Sequence, residues 1–139
     1  MSFSFYNMNT THHGTDVTNN YQELGEEFCK HYYTIYDNNF RDLGHLFGDN
    51  PRITFMDSRY GHYGNLLSDI YAKGIWDFTH HEINGNSQPI GQYGLLVNIT
   101  GTLSVNQESA RYHFTETVIL EQGTNGNWHI HNLIFKVLD

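Results

Sequence analysis

Residues 21–38 read YQELGEEFCKHYYTIYDN, and their periodicity predicts one long amphipathic helix. Apolar and aromatic side chains recur at spacings of three and four, so they share one face: Tyr21, Leu24, Phe28, Tyr32 and Ile35, widened by Cys29, Tyr33 and Tyr36. Most of the charged side chains fall on the opposite face. A helix with so many aromatic residues needs a broad apolar partner, and the second half of the chain supplies a predicted curved sheet.

The ends of this helix carry their own signals. Asn20 precedes it and Glu23 follows three residues later, which predicts a capping box. The run 37–39, Asp-Asn-Asn, predicts its end, because these side chains compete for backbone hydrogen bonds and favour turns. Gly25 is the one weak position, since glycine inside a helix costs about 1 kcal/mol relative to alanine.

Length and charge limit the classes of function. A chain of 139 residues forms one domain, and its net charge is −8 with only 7 lysines and arginines. Phosphate binding needs clustered cations, so we expect no nucleic acid and no membrane among the direct partners. An acidic surface suits a basic protein partner, although a role in solubility alone explains the charge equally well.

The N-terminal sequence lacks the basic end and apolar run of a secretory signal, and no stretch reaches membrane-spanning length. We therefore expect an intracellular protein. The single cysteine, Cys29, excludes an intrachain disulfide. Residues 1–18 are polar and without periodicity, which predicts a flexible N-terminal arm before a domain at 19–139.

The remaining elements are assigned from periodicity and turn residues. Two short helices are predicted at 40–47 and 66–73, the second capped by Asn65 and ended by Gly74. Turns or loops are expected at 58–64 and 84–91. Strands are predicted at Arg52–Asp57, Trp76–Ile83, Tyr93–Val105, Arg111–Glu121 and Trp128–Leu138.

The last strand has apolar residues on both faces, whereas a strand with one solvated face is polar on that side. We interpret this as burial under the long helix on one face and under a second subunit on the other. The predicted fold class is α+β: a cone-shaped, strongly curved antiparallel or mixed sheet wrapped round the long N-terminal helix, with two shorter helices and an apolar pocket.

Several of these segments together carry a family resemblance. The run HYYTIYDN at 31–38, Leu43-Gly44, Ile53-Thr54-Phe55 and Gly64 resemble the first half of nuclear transport factor 2. The ending, with Trp128, Asn132 and Phe135-Lys136, resembles its last strand, so the similarity spans about residues 19–138. It implies a non-enzymatic homodimer, paired through its sheets and without a cofactor. It further implies movement between cytoplasm and nucleus through the pores of the nuclear envelope.

The resemblance also implies partners and site residues. Family members bind the GDP form of the small GTPase Ran, with an aromatic residue of Ran in the cavity and acidic rim residues holding its cations. They also bind Phe-Gly repeats of nucleoporins. Matched to the family pattern, the nucleoporin residue is Phe55, and the Ran-binding rim and cavity are Met56, Asp57, Asn106, Glu108, Phe114 and Phe135.

Two of these positions differ from the family pattern. Met56 stands where the family has a glutamate, and alternation along a strand directs the neighbouring Asp57 to the other face. The turn that carries Asp-x-Asp in the family is here Asn106-Gln107-Glu108, which keeps one carboxylate.

Other functions stay open at this stage. One alternative is a small-molecule binding protein or an isomerase- or dehydratase-like enzyme on the same cone, in which Glu116 together with Tyr32, Tyr33 or Tyr36 would suit proton transfer. His113, His129 and His131 are a weaker candidate for zinc binding. A scaffold domain or an mRNA-export adaptor subunit is a further alternative; behaviour as a stable homodimer would favour a transport factor over an exporter subunit.

Overall fold

The strands form one six-stranded sheet in the order β2-β1-β6-β5-β4-β3. The computed structural model describes residues 14–139. Its elements are α1 (Tyr21–Asn39), a 3-10 helix (Phe40–Leu46), β1 (Phe47–Phe55), β2 (Ser58–Tyr60), α2 (Tyr63–Ala72), β3 (Phe78–Ile90), β4 (Gly94–Val105), β5 (Tyr112–Gln122) and β6 (Trp128–Val137). Neighbouring strands are antiparallel except β1 and β6, which run parallel.

Helix α1 lies across the inner face of this sheet and packs mainly against β3. Its buried side chains include Leu24, Phe28, Tyr32 and Tyr36, the face that the sequence predicts, whereas Ile35 is only half-buried. These residues meet apolar residues of the strands in one continuous core. The α+β cone is therefore confirmed. No helix within residues 14–139 combines the length and apolar character needed to cross a membrane.

Helix caps differ from the prediction. The side chain of Asn20 makes no capping hydrogen bond at the start of α1. At α2 the cap is His62, whose Nδ1 accepts from the N–H of Gly64, so the helix begins at Tyr63, three residues before the predicted start at Leu66. Sequence reasoning missed His62 because a histidine nitrogen is an uncommon capping acceptor. Gly74, with φ of 80°, follows the end of α2 as expected.

The largest error in the prediction is the loop expected at 84–91, because residues 84–90 belong to β3. That strand pairs with β4 from Phe78 to Ile90, with a bulge between His81 and Asn84 where Glu82 has φ of 55°. β3 is an edge strand, and its polar Asn, Ser and Gly residues have the composition of a loop. Its pairing comes from the apolar neighbour β4 and from α1, which no local pattern encodes.

Two other assignments also change. β1 begins at Phe47, so the 3-10 helix ends one residue earlier than the predicted helix. Ser58–Tyr60, predicted as part of a turn, is β2, and it pairs with β1 across a two-residue turn at Met56 and Asp57. Both turn residues have positive φ, 51° and 74°, which suits the tight turns of hairpins.

Residues 14–18, which the sequence assigned to the arm, contact the ends of the strands. The N–H of Thr15 donates to the side chain of Gln122, which donates back to the carbonyl of Thr15. The N–H of Val17 donates to the carbonyl of Gln92, and its side chain is fully buried. The packed part of the chain thus begins before residue 18, and residues 1–13 of the expected arm lie outside the described residues.

The last strand, β6, does not have the two apolar faces that the sequence predicts. Trp128 and Ile130, expected on the same face as Ile134, are buried on the inner face because the pairing with β5 shifts its register between Ile130 and Asn132. Leu133 and Phe135 are buried on the inner face, while Ile134 is 56% exposed on the outer face and Leu138, just beyond the strand, is 60% exposed.

The 3-10 helix approaches β6 closely. Helix α1 packs mainly on β3 and reaches β5, the neighbour of β6, through the hydroxyls of Tyr32 and Tyr33, and its buried face shares one core with the inner face of β6. Cover of the outer face by a second subunit stays a prediction.

Candidate functional site

A cavity of about 400 Å³ lies between α2 and the ends of β1, β4, β5 and β6. Leu66 and Ile70 face it from α2, because residues four apart share one side of a helix. The strands contribute Phe55, Leu103 and Phe135 to its wall. The wall is mainly apolar, so the cavity is built to take an apolar group.

Stacked aromatic rings form one side of this cavity. Phe55 and Phe135 lie on neighbouring parallel strands in direct register, and their ring centroids are 4.4 Å apart at 18°. Phe114, on the next strand, packs behind Phe135 at 5.8 Å and is fully buried. Phe55 and Phe135 therefore line the cavity, whereas Phe114 supports its wall from the core.

The turn after β1 contributes to the cavity through one of its two residues. Met56 lines the wall, and its sulfur lies 3.1 Å from the backbone nitrogen of Val137. Asp57 points outward with a side chain that is 86% exposed, and its Oδ1 lies 4.0 Å from Nζ of Lys136, whose side chain is 59% exposed. An exposed pair of this kind contributes little to stability. The carboxylate of Asp57 is thus largely solvated beside the cavity.

The side chain of Asn106 forms hydrogen bonds that hold the segment after α2. Its Oδ1 accepts from the N–H of Trp76 at 2.8 Å, and its Nδ2 donates to the carbonyl of Gly74 at 2.9 Å. These bonds hold the segment that carries Ile75, which lines the cavity. Glu108 is exposed in the same turn and is not part of the cavity wall. The four predicted rim residues are therefore not brought together in one cluster.

Two carboxylates that the prediction missed do line the cavity. Asp69, on α2, accepts a hydrogen bond at 2.7 Å from the hydroxyl of Tyr60. Asp139 follows β6, and its two oxygens lie 2.9 and 3.0 Å from the backbone nitrogen and Nδ1 of His113. The hydrogen bond from the His113 side chain is the main cause of a lowered pKa for the Asp139 carboxyl.

Glu116 lies in the core beneath α1. It is 1% exposed, and it accepts hydrogen bonds from the hydroxyls of Tyr33 at 2.7 Å and Tyr32 at 3.2 Å. Burial raises the pKa of its carboxyl from 4.5 to about 7, against the opposing effect of the bonds from Tyr33 and Tyr32. The grouping of Glu116 with Tyr32 and Tyr33 that the sequence analysis predicted is therefore present in the structure.

A histidine that the prediction left unused lies beside this cluster. The side chain of His80 is fully buried, and its Nδ1 is 2.5 Å from Oδ1 of Asp37. Its ring packs against Tyr33 at 4.7 Å and Tyr36 at 4.4 Å. Asp37 also accepts from the N–H of His80 at 3.0 Å, so it ties the end of α1 to the edge strand β3.

Neither of the two large cavities reaches the carboxyl of Glu116 directly. A second cavity, an open groove of about 860 Å³ between α1 and β3, is lined by Tyr33 and Asp37 but not by Glu116 or His80. The cavity between α2 and the strand ends does not include Glu116 either. In these surroundings the cluster joins α1 to the sheet.

The three histidines weighed for zinc are spread over the sheet. His129 pairs in register with Glu121 near the end of β5, whereas His113 lies at the start of that strand. The ring of His131 is 3.8 Å from the carboxylate of Glu121. Among residues 14–139 no three His, Cys, Asp or Glu side chains are placed to hold one metal ion.

Fold and cavity together define a class of protein: a small cone-shaped α+β domain that encloses an apolar cavity. Comparison with known proteins specifies the family. The family model of the nuclear transport factor 2 (NTF2) domain matches residues 24–137, and the chain belongs to this family.

Individual relatives agree with this assignment. Nuclear transport factor 2 of Neurospora crassa is 24% identical over 115 residues, covering 83% of this chain and 93% of the relative. The solved structure of nuclear transport factor 2 from Cryptosporidium parvum superposes with a TM-score of 0.75 at 22% identity, covering 90% of this chain and 98% of that one.

The cone itself is shared more widely. A structure from Novosphingobium aromaticivorans that is named as a candidate scytalone dehydratase superposes with a TM-score of 0.65 at 12% identity. It covers 82% of this chain and 81% of that one, which is a likeness of fold alone. Membership of the fold therefore does not by itself distinguish transport factors from enzymes.

Proposed function

We propose that this protein is a nuclear transport factor that binds the GDP form of Ran through the cavity between α2 and the strand ends. The observation that carries the proposal is the apolar cavity of about 400 Å³, flanked by the stacked rings of Phe55 and Phe135. Membership of the NTF2 domain family supports it.

Burial of an aromatic side chain supplies the main binding energy in this proposal. A phenylalanine or tyrosine buries roughly 150–250 Å², which corresponds to about 4–6 kcal/mol before the cost of association is subtracted. Met56, where the family has a glutamate, adds apolar contact in the wall without a charge. Recognition of the cations of Ran therefore depends on carboxylates at other positions.

Filling the cavity tests this use of the site. In Val137→Phe an aromatic ring replaces a smaller aliphatic side chain of the cavity wall. Calorimetric titration with Ran loaded with GDP is then expected to show binding at least about tenfold weaker than that of the parent protein. Gln88→Phe adds the same ring on the exposed edge strand β3 and serves as the control. Equal affinity for the parent protein and Val137→Phe would remove the cavity from the proposal.

Nucleoporin binding is proposed for Phe55, the aromatic residue at the end of β1. Its ring is half-buried against Phe135, so one edge is available to the phenylalanine of a Phe-Gly repeat. Phe55→Ala is expected to weaken repeat binding about tenfold or more while leaving the protein folded, measured by calorimetry with a repeat peptide. Unchanged affinity would show that Phe55 is not the contact residue.

The proposed assembly is a homodimer through the outer face of the sheet, where Ile134 and Leu138 expose apolar surface. Such a dimer would work on both sides of the nuclear envelope, in cytoplasm and nucleus. We infer a non-enzymatic role, without a cofactor, because the cavity wall carries carboxylates at its edge and not the Glu116 cluster. The role of an mRNA-export adaptor would be favoured instead by a protein that is insoluble or monomeric alone.

An enzymatic role on the same cone is the second candidate, and Glu116 is the observation that favours it. A buried carboxyl with a pKa near 7 and two tyrosine hydroxyls is a suitable acid–base arrangement. A small substrate would have to reach it past Tyr33, which lines the groove between α1 and β3. Ran binding that is unchanged in Glu116→Gln would separate the transport role from this cluster.

A further inference from the structure

A hollow of about 390 Å³ lies along the hairpin of β1 and β2, at one end of the sheet, and it is lined by Arg52 and Arg59. Strand alternation puts Arg52 and Thr54 on the face opposite to the buried Ile53. Thr54 lies directly opposite Arg59 in the pairing of the two strands, so all three side chains project from the outer face of the sheet. Of the described residues, only Tyr60 lines both this hollow and the cavity between α2 and the strand ends.

The positive charges of Arg52 and Arg59 are not compensated within residues 14–139. Both residues are exposed, and neither guanidinium makes an ion pair or a hydrogen bond with another described residue. By contrast, the guanidinium of Arg111 lies 3.5 Å from the carboxylate of Glu82. The chain has only 7 lysines and arginines and a net charge of −8. The hollow is therefore a local positive site on an acidic protein.

The two guanidinium groups are close enough to act on one ligand. Arg52 and Arg59 are diagonal neighbours across the hairpin, and the Cβ atoms of such neighbours lie about 7–8 Å apart. Like charges at this spacing repel each other, and an anion placed between them removes the repulsion. Each guanidinium offers five donors in a planar fork that matches the oxygens of a carboxylate or a phosphate. The hydroxyl of Thr54, on the same face, can donate one more hydrogen bond.

The number of donors favours a phosphoryl group over a carboxylate. A phosphate monoester carries about 1.5 to 2 negative charges and three acceptor oxygens. A carboxylate carries one charge, and a single arginine can satisfy both of its oxygens. Nucleic acid is disfavoured, because its backbone needs a longer row of cations and is repelled by a net charge of −8. A single phosphoryl group is the ligand that fits these donors.

The position of the hollow favours a phosphorylated protein segment over a small molecule. Both arginines are exposed, whereas small-molecule sites enclose most of the surface of their ligand. β2 is the last strand at this end of the sheet, and a two-residue turn joins it to β1. In such a hairpin the second residue pair from the turn is not hydrogen-bonded, so the N–H and C=O of Arg59 point away from β1. An extended segment can add there as a further strand.

We propose that Arg52 and Arg59 bind a phosphorylated serine or threonine in an extended segment of a partner protein. The phosphoryl oxygens accept hydrogen bonds from both guanidinium groups and from the hydroxyl of Thr54, while the backbone of the segment pairs with Arg59. β2 lies two strands from β6, roughly 10 Å away, which places the site at the margin of the proposed dimer surface. The site is independent of the cavity and of Ran binding.

Titration of the nitrogen-15-labelled full chain, followed by NMR at constant ionic strength, tests the site. The probes are a short glycine–serine peptide with one central phosphoserine, its unphosphorylated twin and inorganic phosphate. Arg52→Gln and Arg59→Gln each remove one charge and keep a polar side chain. Arg41→Gln is the matched control, because Arg41 is exposed on the 3-10 helix and does not line the hollow.

We expect the phosphopeptide to shift the guanidinium signals of Arg52 and Arg59 and the backbone signal of Arg59, with saturable binding in the millimolar range or tighter. The unphosphorylated twin should cause no such shifts. Inorganic phosphate should act on the same signals but bind at least about threefold more weakly, because it lacks the backbone contacts. Arg52→Gln and Arg59→Gln should each weaken phosphopeptide binding about tenfold, whereas Arg41→Gln should stay within about twofold of the parent protein.

Three results would overturn the inference. Absence of shifts at Arg52 and Arg59 with the phosphopeptide would show that the hollow does not bind a phosphoryl group. Equal weakening in Arg41→Gln would show that overall charge, and not the arginine pair, attracts the peptide. Inorganic phosphate that binds as tightly as the phosphopeptide would refute a protein segment as the source of the phosphoryl group.

Discussion

At the scale of single residues, Glu116 gives the sharpest prediction about stability. Its carboxyl is protonated in the folded protein below a pKa of about 7, whereas in the unfolded chain it ionises near 4.5. Between these two values the folded state binds more protons, so the free energy of unfolding falls as pH rises. The full effect is about 3 kcal/mol, reached above pH 7.

Glu116→Gln removes this dependence because the amide does not ionise. We expect urea unfolding of the parent protein to show declining stability from about pH 5 to 7, and that of the variant to lack this part of the decline. Other groups contribute equally to both proteins, so the difference isolates Glu116. If the free energies of unfolding of the two proteins changed in parallel with pH, the claim that Glu116 is buried with a raised pKa would be contradicted.

Residue by residue, the sequence located part of the site. The resemblance assigned Phe114 and Phe135 to the cavity and Phe55 to nucleoporin contact, and the register between β1 and β6 places Phe55 and Phe135 side by side in the cavity wall. Asp69 and Asp139 were missed because they lie on different elements, 70 positions apart, and only the packing of α2 against β1 and β2 brings the helix to the strand ends. The position of Asp69 next to Ile70 on a short amphipathic helix was the one local signal available.

At the scale of elements, the contact between α1 and β3 explains Gly25. The sequence marked this glycine as a weak position in the helix, but a Cβ built there would lie 1.6 Å from Oγ and 2.7 Å from Cβ of Ser87. Rotation of the serine would relieve only the first contact. Gly25 therefore permits close approach of helix and strand, and the loss in helix propensity is compensated by packing.

Gly25→Ala is expected to destabilise the protein by about 1–3 kcal/mol, although alanine favours a helix. Ser87→Gly removes both atoms that the new Cβ would meet. The double variant should recover much of the loss, giving a favourable coupling in a double-mutant cycle measured by urea unfolding. Greater stability in Gly25→Ala alone would show that the helix has room at this position.

The accuracy of the element prediction follows the strength of the local pattern. Helix α1 was expected at 21–38 and spans 21–39, because its apolar spacing is continuous. β3 was cut short at Ile83, because an edge strand rich in Asn, Gly and Ser has the composition of a loop. Side chains of α1 satisfy part of that edge: Gln22 bonds the backbone of Gly85 and Ser87.

At the scale of the whole molecule, the outer face of the sheet is the proposed dimer surface. Ile134 projects there from β6, in register with Thr117 of β5 and Thr54 of β1. Ile134→Lys would place two charges in a two-fold interface, and we expect the dissociation constant to rise about 100-fold or more. Analytical ultracentrifugation over a concentration series measures this shift.

Trp76→Lys is the matched control for this change. Trp76 is 58% exposed and lies between α2 and β3, outside the strands of the sheet. Like Ile134→Lys, the Trp76→Lys variant replaces an exposed apolar residue with a positively charged one, but the dimer should persist. A parent protein that sediments as a monomer at all concentrations would refute the proposed assembly, and equal dissociation of both variants would refute this interface.

The overall architecture could be predicted further than the cavity. A long aromatic helix and three alternating strands require a curved sheet around the helix, which the structure confirms. The cavity depends on where α2 closes against the strand ends, and this long-range placement leaves no periodic signal in the sequence. The family pattern supplied its aromatic residues but not its carboxylates.

Calorimetric titration with Ran, loaded either with GDP or with a GTP analogue, is the most direct test of the proposed transport role. We expect micromolar or tighter binding to the GDP form and none to the other, as a carrier selective for one nucleotide state requires. Absence of binding to Ran in the GDP form would contradict the proposal and direct attention to another occupant of the cavity.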